Sequence, residues 1–139
     1  QPGSLSGFWQ NWGGDHRNVT TRISGEGGKK ARLEHRTADA SANPYTAVAA
    51  VLQAARLGLE NGYELPAAET GDGFEKQDAK NSTGIDLKSA IADLRADTDL
   101  CTAVGAELTD NHIFMKEKEH RKTRDLEGEA LRDFYVYFV

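Results

Sequence analysis

Alternating polar and apolar residues predict two short strands near the start of the chain. The segment from Val19 to Ser24 alternates and stops at a glycine-rich stretch, residues 25–28. Alternation of this kind is typical of a half-buried strand. A second strand is predicted over residues 31–36, and the glycine-containing turn between the two makes them a candidate β-hairpin.

A longer apolar segment predicts a helix immediately after these strands. Asn43 is a favourable N-cap, and Pro44 occupies a position that a first helical turn tolerates. The helical pattern continues to Glu60 and ends at residues 61–62, an Asn-Gly pair typical of a helix C-terminus. Apolar residues lie most of the way round, so we expect this helix to be buried on more than one side. The rest of the chain does not obviously supply that many partners.

The second half of the chain is predicted to be mostly helical. An amphipathic helix is expected over about residues 86–97, and more helix from Thr98 past Lys118, broken or bent near Gly105. A last short helix is expected from Glu127. The predicted organisation is strands and loops over residues 1–43, a buried helix over 44–62, a loop over 63–85 and C-terminal helices over 86–139.

Composition and charge exclude several classes of protein. The 139 residues are 38% hydrophobic and 28% charged, with a formal net charge of -5. No segment approaches the roughly 20 apolar residues that cross a bilayer, and no signal-peptide pattern is visible. The single cysteine, Cys101, rules out an intrachain disulfide and indicates a small core residue in a reducing compartment. We therefore expect a cytoplasmic protein without a membrane partner.

Both ends of the chain indicate a piece of a longer protein. The sequence starts at Gln1 without a methionine, directly at a Pro-Gly turn signal. It closes on an apolar and aromatic stretch, residues 134–139. An end of this kind usually docks on another surface.

The densest chemical signal lies in the second predicted strand. Alternate side chains of a strand share a face, so Arg32, Glu34 and Arg36 are expected to point the same way. If the apolar side chains of the two strands lie on the same face of the hairpin, Arg22 shares the opposite face with these three residues. Arg17 lies just before the first strand. Arginines around one carboxylate form a site for a phosphate, a carboxylate and a metal ion together.

Two other interpretations account for the same charges. The row could be a surface charge ladder across a hairpin, in which opposite charges pair for modest gains in stability. Clustered arginines also occur in nucleic-acid-binding modules, but the net charge of -5 and the acidic helices count against such a partner. The local pattern leaves the charge ladder open.

The order and spacing of several motifs resemble glutamine synthetases. Arg-Leu-Glu-His-Arg over residues 32–36, followed by Ala-Asn-Pro-Tyr over 42–45, resembles the family's closing R-x-E-x-R and A-N-P-Y signature. Residues 16–23 resemble its N-R-(four residues)-R-I segment, and residues 49–61 resemble the helix that follows. The resemblance covers nearly the whole chain and is strongest over residues 14–62. It implies an α+β fold, with antiparallel strands of the catalytic sheet followed by about four helices.

The resemblance assigns a role to each charged residue of the predicted cluster. Glu34 matches the glutamate that binds a catalytic metal ion beside the nucleotide phosphates. Arg36 matches the arginine that holds the carboxylate of the substrate glutamate. Arg22 and Arg32 match arginines that contact nucleotide phosphates, and Arg17 matches one that faces the transferred phosphoryl group.

The resemblance also implies an activity and its requirements. The family uses ATP and Mg²⁺ or Mn²⁺ to convert glutamate into a γ-glutamyl phosphate, from which an amine displaces phosphate. Its members are ring-shaped homo-oligomers. Because the other metal ligands are absent from this chain, we expect the chain alone to be inactive. The alternative is a non-catalytic relative with a structural or regulatory role.

Two departures from the family pattern affect these expectations. Leu5 stands where most members have a glutamate that takes a proton from the attacking ammonium. An apolar residue there suits a bulkier organic amine, for which Phe8, Trp9 and Trp12 would line a pocket unless they pack in the core. His16 replaces an asparagine of the family and is interpreted as a structural residue.

Overall fold

The computed structural model of the chain describes residues 9–25, 27–39, 41–71 and 82–137, and these residues are α+β, as expected. They belong to two compact units. The sheet unit comprises the residues up to 39 together with 61–85, and the helical unit comprises residues 40–60 together with those from 86 onwards.

A three-stranded sheet organises the sheet unit. Its strands are β1 (Trp12–Gly14), β2 (Thr21–Ile23) and β3 (Leu33–His35), in that order across the sheet. β2 and β3 are antiparallel, with Arg22 opposite Glu34, so the predicted hairpin is confirmed. The two strands are joined through a short 3-10 turn, Gly28–Lys30.

The expectation of purely antiparallel strands is wrong for β1, which pairs parallel with β2. The connection between them begins at Asp15, whose φ of 50° lies in the left-handed region that aspartate tolerates better than most residues. The Asp15 N–H donates to the Ile23 carbonyl (2.9 Å), and the Thr21 N–H donates to the Asn11 carbonyl (3.1 Å). These two bonds hold β2 beside β1, after the bends and turns of residues 15–20 have brought the chain back to the start of β1.

A second segment lies against β1 on the edge away from β2. The Glu69 N–H donates to the Trp12 carbonyl (2.8 Å), and the Trp12 ring N–H donates to the Pro66 carbonyl (2.8 Å). Val19 is completely buried and lies in the core of this unit. The first part of the predicted loop, residues 63–71, therefore has no regular secondary structure but is bonded to β1 through Pro66 and Glu69.

The helical unit consists of helices whose bounds agree with the predictions to within a few residues. They are α1 (Pro44–Glu60), α2 (Leu87–Ala96), α3 (Thr98–Val104), α4 (Ala106–Thr123) and α5 (Gly128–Tyr135). The predicted break at Gly105 is present, and its φ of 119° suits a residue without a Cβ.

Short-range hydrogen bonds define the starts of these helices. The Asn43 side-chain oxygen accepts from the Tyr45 N–H (2.9 Å), as expected for an N-cap of α1. Asp86 and Ser89 form a reciprocal capping box at the start of α2. Ile91 and Ile113 are the buried apolar residues described in this unit.

The lone cysteine, Cys101, connects two neighbouring helices. Cys101 is a half-buried free thiol whose Sγ–H donates to the Leu94 carbonyl at 3.1 Å. This bond joins α3 to the preceding helix α2, which agrees with its interpretation as a packing residue.

The burial predicted for α1 is not supplied by the described residues. No residue of this helix is buried, and the exposed fractions of Tyr45, Leu52 and Leu59 are 85%, 64% and 86%. The helix packs against α3, which covers one side of it. Because α3 cannot by itself cover an apolar surface that extends most of the way round the helix, burial of α1 on more than one side stays a prediction that the described residues do not test.

Among the described helices, none is long and apolar enough to cross a bilayer.

Candidate functional site

The predicted cluster is formed on one face of the β2–β3 hairpin. Arg22 Nη1 lies 3.1 Å from Glu34 Oε2, and Arg32 Nη2 lies 2.8 Å from Glu34 Oε1. Arg32 Nε donates to the same Oε1 at 2.9 Å. The three side chains therefore share a face, as alternation predicted, and both oxygens of Glu34 accept from an arginine.

A fourth charged group belongs to this cluster and was not predicted as a site residue. Asp15 Oδ1 lies 3.2 Å from Arg22 Nη2, and Asp15 Oδ2 accepts from the Gly25 N–H at 3.1 Å. We call Asp15, Arg22, Glu34 and Arg32 the charge quartet. Its two carboxylates and two guanidinium groups have a formal net charge of zero.

The sequence carried a weak signal for Asp15. An aspartate after two glycines, Gly13 and Gly14, is a favourable residue for a left-handed turn. Its contact with Arg22 depends on the parallel pairing of β1, which the sequence did not predict.

Arg22 is the most enclosed member of the quartet. Its side chain is 19% exposed, compared with 30% for Glu34 and 50% for Arg32. Its Nε is buried and has no hydrogen-bond acceptor among the described residues. Arg22 therefore presents its two Nη groups to the carboxylates while its stem lies against the protein.

Hydrogen bonds keep both carboxylates of the quartet ionised. The hydrogen bond from Arg32, with the nearby charge of Arg22, lowers the pKa of Glu34 although burial opposes this. The backbone N–H of Gly25 lowers the pKa of Asp15, and Arg22 adds to the effect. At neutral pH the quartet thus contains two full negative and two full positive charges.

The other two predicted arginines do not join the quartet. The Arg36 N–H donates to the Thr20 carbonyl (2.8 Å), which continues the hairpin ladder beyond β3, and its side chain is half-buried. Arg17 is exposed in the turn between β1 and β2. Neither guanidinium forms an ion pair with any of the residues that the structure describes. Their positive charges are therefore available to an anionic ligand.

Backbone groups bind both ring nitrogens of His16, as expected of a structural residue. Its Nδ1 accepts from the Asn18 N–H (3.2 Å), and its Nε2–H donates to the Gly71 carbonyl (2.5 Å). Because both ring nitrogens have backbone partners, neither is free to bind a metal ion.

The described residues do not form a metal site by themselves. Mg²⁺ and Mn²⁺ require several oxygen ligands, and no group of three potential ligand residues is found over residues 9–25, 27–39, 41–71 and 82–137. Glu34 is a suitable single ligand, but both its oxygens are engaged by arginines. Further ligands would have to come from outside this set.

The predicted amine pocket is largely beyond what the structure describes. Leu5 and Phe8 lie outside the described residues. The ring N–H of Trp12 is bonded to the Pro66 carbonyl, so this side chain packs against the segment beside β1.

Comparison with known proteins identifies the family. Residues 1–135 match the family model described as glutamine synthetase, catalytic domain. The chain is 28% identical to a glutamine synthetase of Staphylococcus epidermidis over 141 residues, and 30% identical to one of Thermococcus kodakarensis over 155 residues. Each alignment covers 97% of this chain, but 32% and 35% of the respective relative. A glutamine synthetase of Staphylococcus aureus gives 28% identity over 97% of the chain.

The chain belongs to the glutamine synthetase family, because the match to the catalytic domain extends over the hairpin and all the described helices. The chain spans about a third of the length of the curated relatives it matches.

Proposed function

We propose that the protein carrying this chain joins an amine to the γ-carboxylate of glutamate, using ATP and passing through a γ-glutamyl phosphate. The observation that carries this proposal is the position of Glu34 between Arg22 and Arg32, on a hairpin within the matched catalytic domain. The family membership supports ligase chemistry, and the arginines supply the charge that phosphoryl transfer needs.

The arginines divide into two groups in this proposal. Arg22 and Arg32 bind nucleotide phosphates by exchanging a carboxylate oxygen for a phosphate oxygen, since both accept the same guanidinium donors. Arg36 binds the carboxylate of the substrate glutamate, and Arg17 faces the transferred phosphoryl group. The absence of ion pairs at Arg17 and Arg36 among the described residues supports their availability for substrate.

These roles agree with the chemistry of the reaction. A carboxylate is a poor electrophile until it is phosphorylated, and phosphoryl transfer depends mainly on positioning and on neutralisation of charge. Arg17 would stabilise the phosphoryl group during transfer, whereas Arg36 would hold glutamate equally before and during the reaction. The first role affects kcat and the second affects KM.

The proposed cofactors are ATP and Mg²⁺ or Mn²⁺. A divalent ion would neutralise phosphate charge when bound, and Glu34 would be one of its oxygen ligands. The remaining ligands belong to parts of the polypeptide beyond the described residues. The chain alone is accordingly proposed to be inactive.

The amine, the assembly and the location are further parts of the proposal. The apolar Leu5 favours an organic amine over ammonia, because leucine neither accepts a proton nor attracts ammonium. A ring-shaped homo-oligomer in the cytoplasm, without membrane or nucleic-acid partners, is proposed from the family resemblance and the acidic net charge of -5.

The test is phosphate release from ATP by the full polypeptide, with glutamate and Mg²⁺, across ammonia, methylamine, ethanolamine and putrescine. Release that depends on glutamate and on one organic amine supports both the ligase and the interpretation of Leu5. Release with ammonia alone supports the ligase and refutes the organic-amine proposal. Absence of release with every amine would favour the non-catalytic relative.

Two variants test the division of roles between arginines. Arg36→Ala is expected to raise the KM for glutamate at least tenfold with a smaller effect on kcat, because a charge-assisted pair to the substrate is lost. Arg17→Ala is expected to lower kcat with little change in that KM. Arg56→Ala, at an exposed ion pair with Glu60 in α1, is the control. An unchanged glutamate KM in Arg36→Ala would remove its assigned role.

A further inference from the structure

We propose that Asp15 is a positioning residue that fixes the guanidinium of Arg22 for phosphate binding. This inference rests on the proposed function, in which Arg22 contacts nucleotide phosphates. Asp15 is not one of the residues to which the family resemblance gives a role. Its assignment comes from its contacts.

The backbone of Asp15 is held independently of its side chain. Its N–H donates to the Ile23 carbonyl at 2.9 Å, and its φ of 50° lies in the left-handed region. The side chain therefore leaves a fixed point beside the end of β2. A short side chain from a fixed backbone has little freedom, so the position of the carboxylate is well determined.

The two oxygens of Asp15 perform different tasks. Oδ2 accepts from the Gly25 N–H at 3.1 Å, which orients the carboxylate, and Oδ1 accepts from Arg22 Nη2 at 3.2 Å. Glu34 holds the other nitrogen, Nη1, at 3.1 Å. The guanidinium plane is thus held on two sides by carboxylates from different parts of the chain.

Holding both nitrogens restricts rotation of the Arg22 side chain. With Glu34 alone, the guanidinium could rotate about a single contact, and Glu34 itself is shared with Arg32. Asp15 forms its ion pair with Arg22, whereas Glu34 forms ion pairs with both Arg22 and Arg32. Its removal would therefore loosen Arg22 while leaving the Arg32–Glu34 pair in place.

Two substitutions separate position from charge. Asp15→Glu keeps the charge but moves the carboxylate by one methylene group. Asp15→Asn keeps the side-chain length and tolerance of a left-handed φ, but its one carbonyl oxygen cannot serve both Gly25 and Arg22 as the carboxylate does. Asp125→Glu is the matched control, because Asp125 forms an exposed pair with its neighbour Arg124.

The first readout is NMR of the Arg22 side chain in the 139-residue chain without ligand. In the natural chain we expect hindered guanidinium rotation, seen as separate Nη signals. In Asp15→Glu and Asp15→Asn these signals should average, whereas Asp125→Glu should leave them separate. Separate signals in both Asp15 variants, with unchanged thermal midpoints, would overturn the proposal.

The second readout is the affinity of the same chain for pyrophosphate, measured by calorimetry. Asp15→Glu leaves the net charge unchanged, so a purely electrostatic role predicts an unchanged affinity. A positioning role predicts a loss of roughly tenfold, the value of one well-placed charge-assisted hydrogen bond. Equal affinities for the natural chain and Asp15→Glu would refute positioning.

Failure of the proposed function gives a different result. If the natural chain and every variant lack affinity for pyrophosphate, the phosphate-binding role of Arg22 is refuted. The NMR comparison would then still decide whether Asp15 orders Arg22.

Discussion

Replacing Glu34 by glutamine is expected to strengthen the binding of a free polyphosphate to this chain while abolishing ligase activity in the full polypeptide. Glu34 neutralises two arginines, with nitrogen–oxygen distances of 3.1 and 2.8 Å. Glutamine keeps the length of the side chain and one acceptor oxygen but removes the negative charge. The charge quartet then changes from a formal charge of zero to +1.

The size of the effect follows from the distances. A phosphate oxygen bound to the same guanidinium nitrogens would lie about 6 Å from the Glu34 carboxylate, roughly two hydrogen-bond lengths away. At about 6 Å in water, two unit charges of the same sign repel each other by about 1.2 RT. Removing the Glu34 charge therefore makes the binding free energy of pyrophosphate, with about three charges, more favourable by about 3.5 RT. Screening at 0.1 M salt reduces this gain to about 2 RT, or roughly sevenfold in affinity.

The assay is calorimetric titration of the 139-residue chain with pyrophosphate at two salt concentrations, without divalent ions. The gain in Glu34→Gln should diminish as salt increases, because it is electrostatic. Glu60→Gln removes an equal charge from the exposed Arg56 pair of α1 and should leave the affinity unchanged. Weaker pyrophosphate binding by Glu34→Gln would refute the exchange of carboxylate for phosphate on which the proposed roles of Arg22 and Arg32 depend.

Three further predictions concern the stability of the fold. Asn43→Ala should lower the free energy of unfolding by about 1 kcal/mol through loss of the α1 cap, and Asn43→Gly by only a few tenths, in urea titrations followed by circular dichroism; equal losses would contradict a capping role. Ile113→Val should cost about 1 kcal/mol, because Ile113 is 6% exposed, whereas Ile85→Val, at 58% exposure, should cost less than about 0.5 kcal/mol. The hydrogen bonds of Ser89 lower the pKa of Asp86 in the folded chain, so its contribution to stability is present above the unfolded pKa and is lost as pH falls below about 4. Asp86→Asn should remove that part of the acid sensitivity. If the unfolding midpoints of the natural chain and of Asp86→Asn fall by the same amount from pH 5 to pH 2, this assignment is contradicted.

Local patterns predicted those parts of the fold that depend on neighbouring residues. The hairpin, the cap at Asn43 and the break at Gly105 each follow from alternation, capping or glycine placement within a few residues. The common face of Arg22 and Glu34 followed from the same alternation, because the hairpin register places them opposite each other. Such features need no knowledge of the rest of the chain.

The features that were missed depend on contacts between distant segments or on the environment. β1 is three residues long, contains two glycines and has no alternation, so strand propensity indicates neither the strand nor its parallel pairing with β2. The contact of Asp15 with Arg22 depends on that pairing. The predicted burial of α1 is untested: its apolar surface is exposed in the described chain, and sequence alone does not say which chain would cover it.

The distribution of ion pairs bears on the choice between a charge ladder and a binding site. A ladder that serves stability alone gains most when each cation has a carboxylate beside it, because an unpaired cation adds charge without a compensating contact. In the described hairpin, Arg22 and Arg32 have such partners, whereas Arg17 and Arg36 have none among the described residues. The paired arginines are held in place by Asp15 and Glu34, so a ligand would meet them in a fixed geometry. The unpaired arginines retain the net positive charge that attracts a phosphate or a carboxylate, which is the combination expected of a site that both orders and binds an anionic substrate.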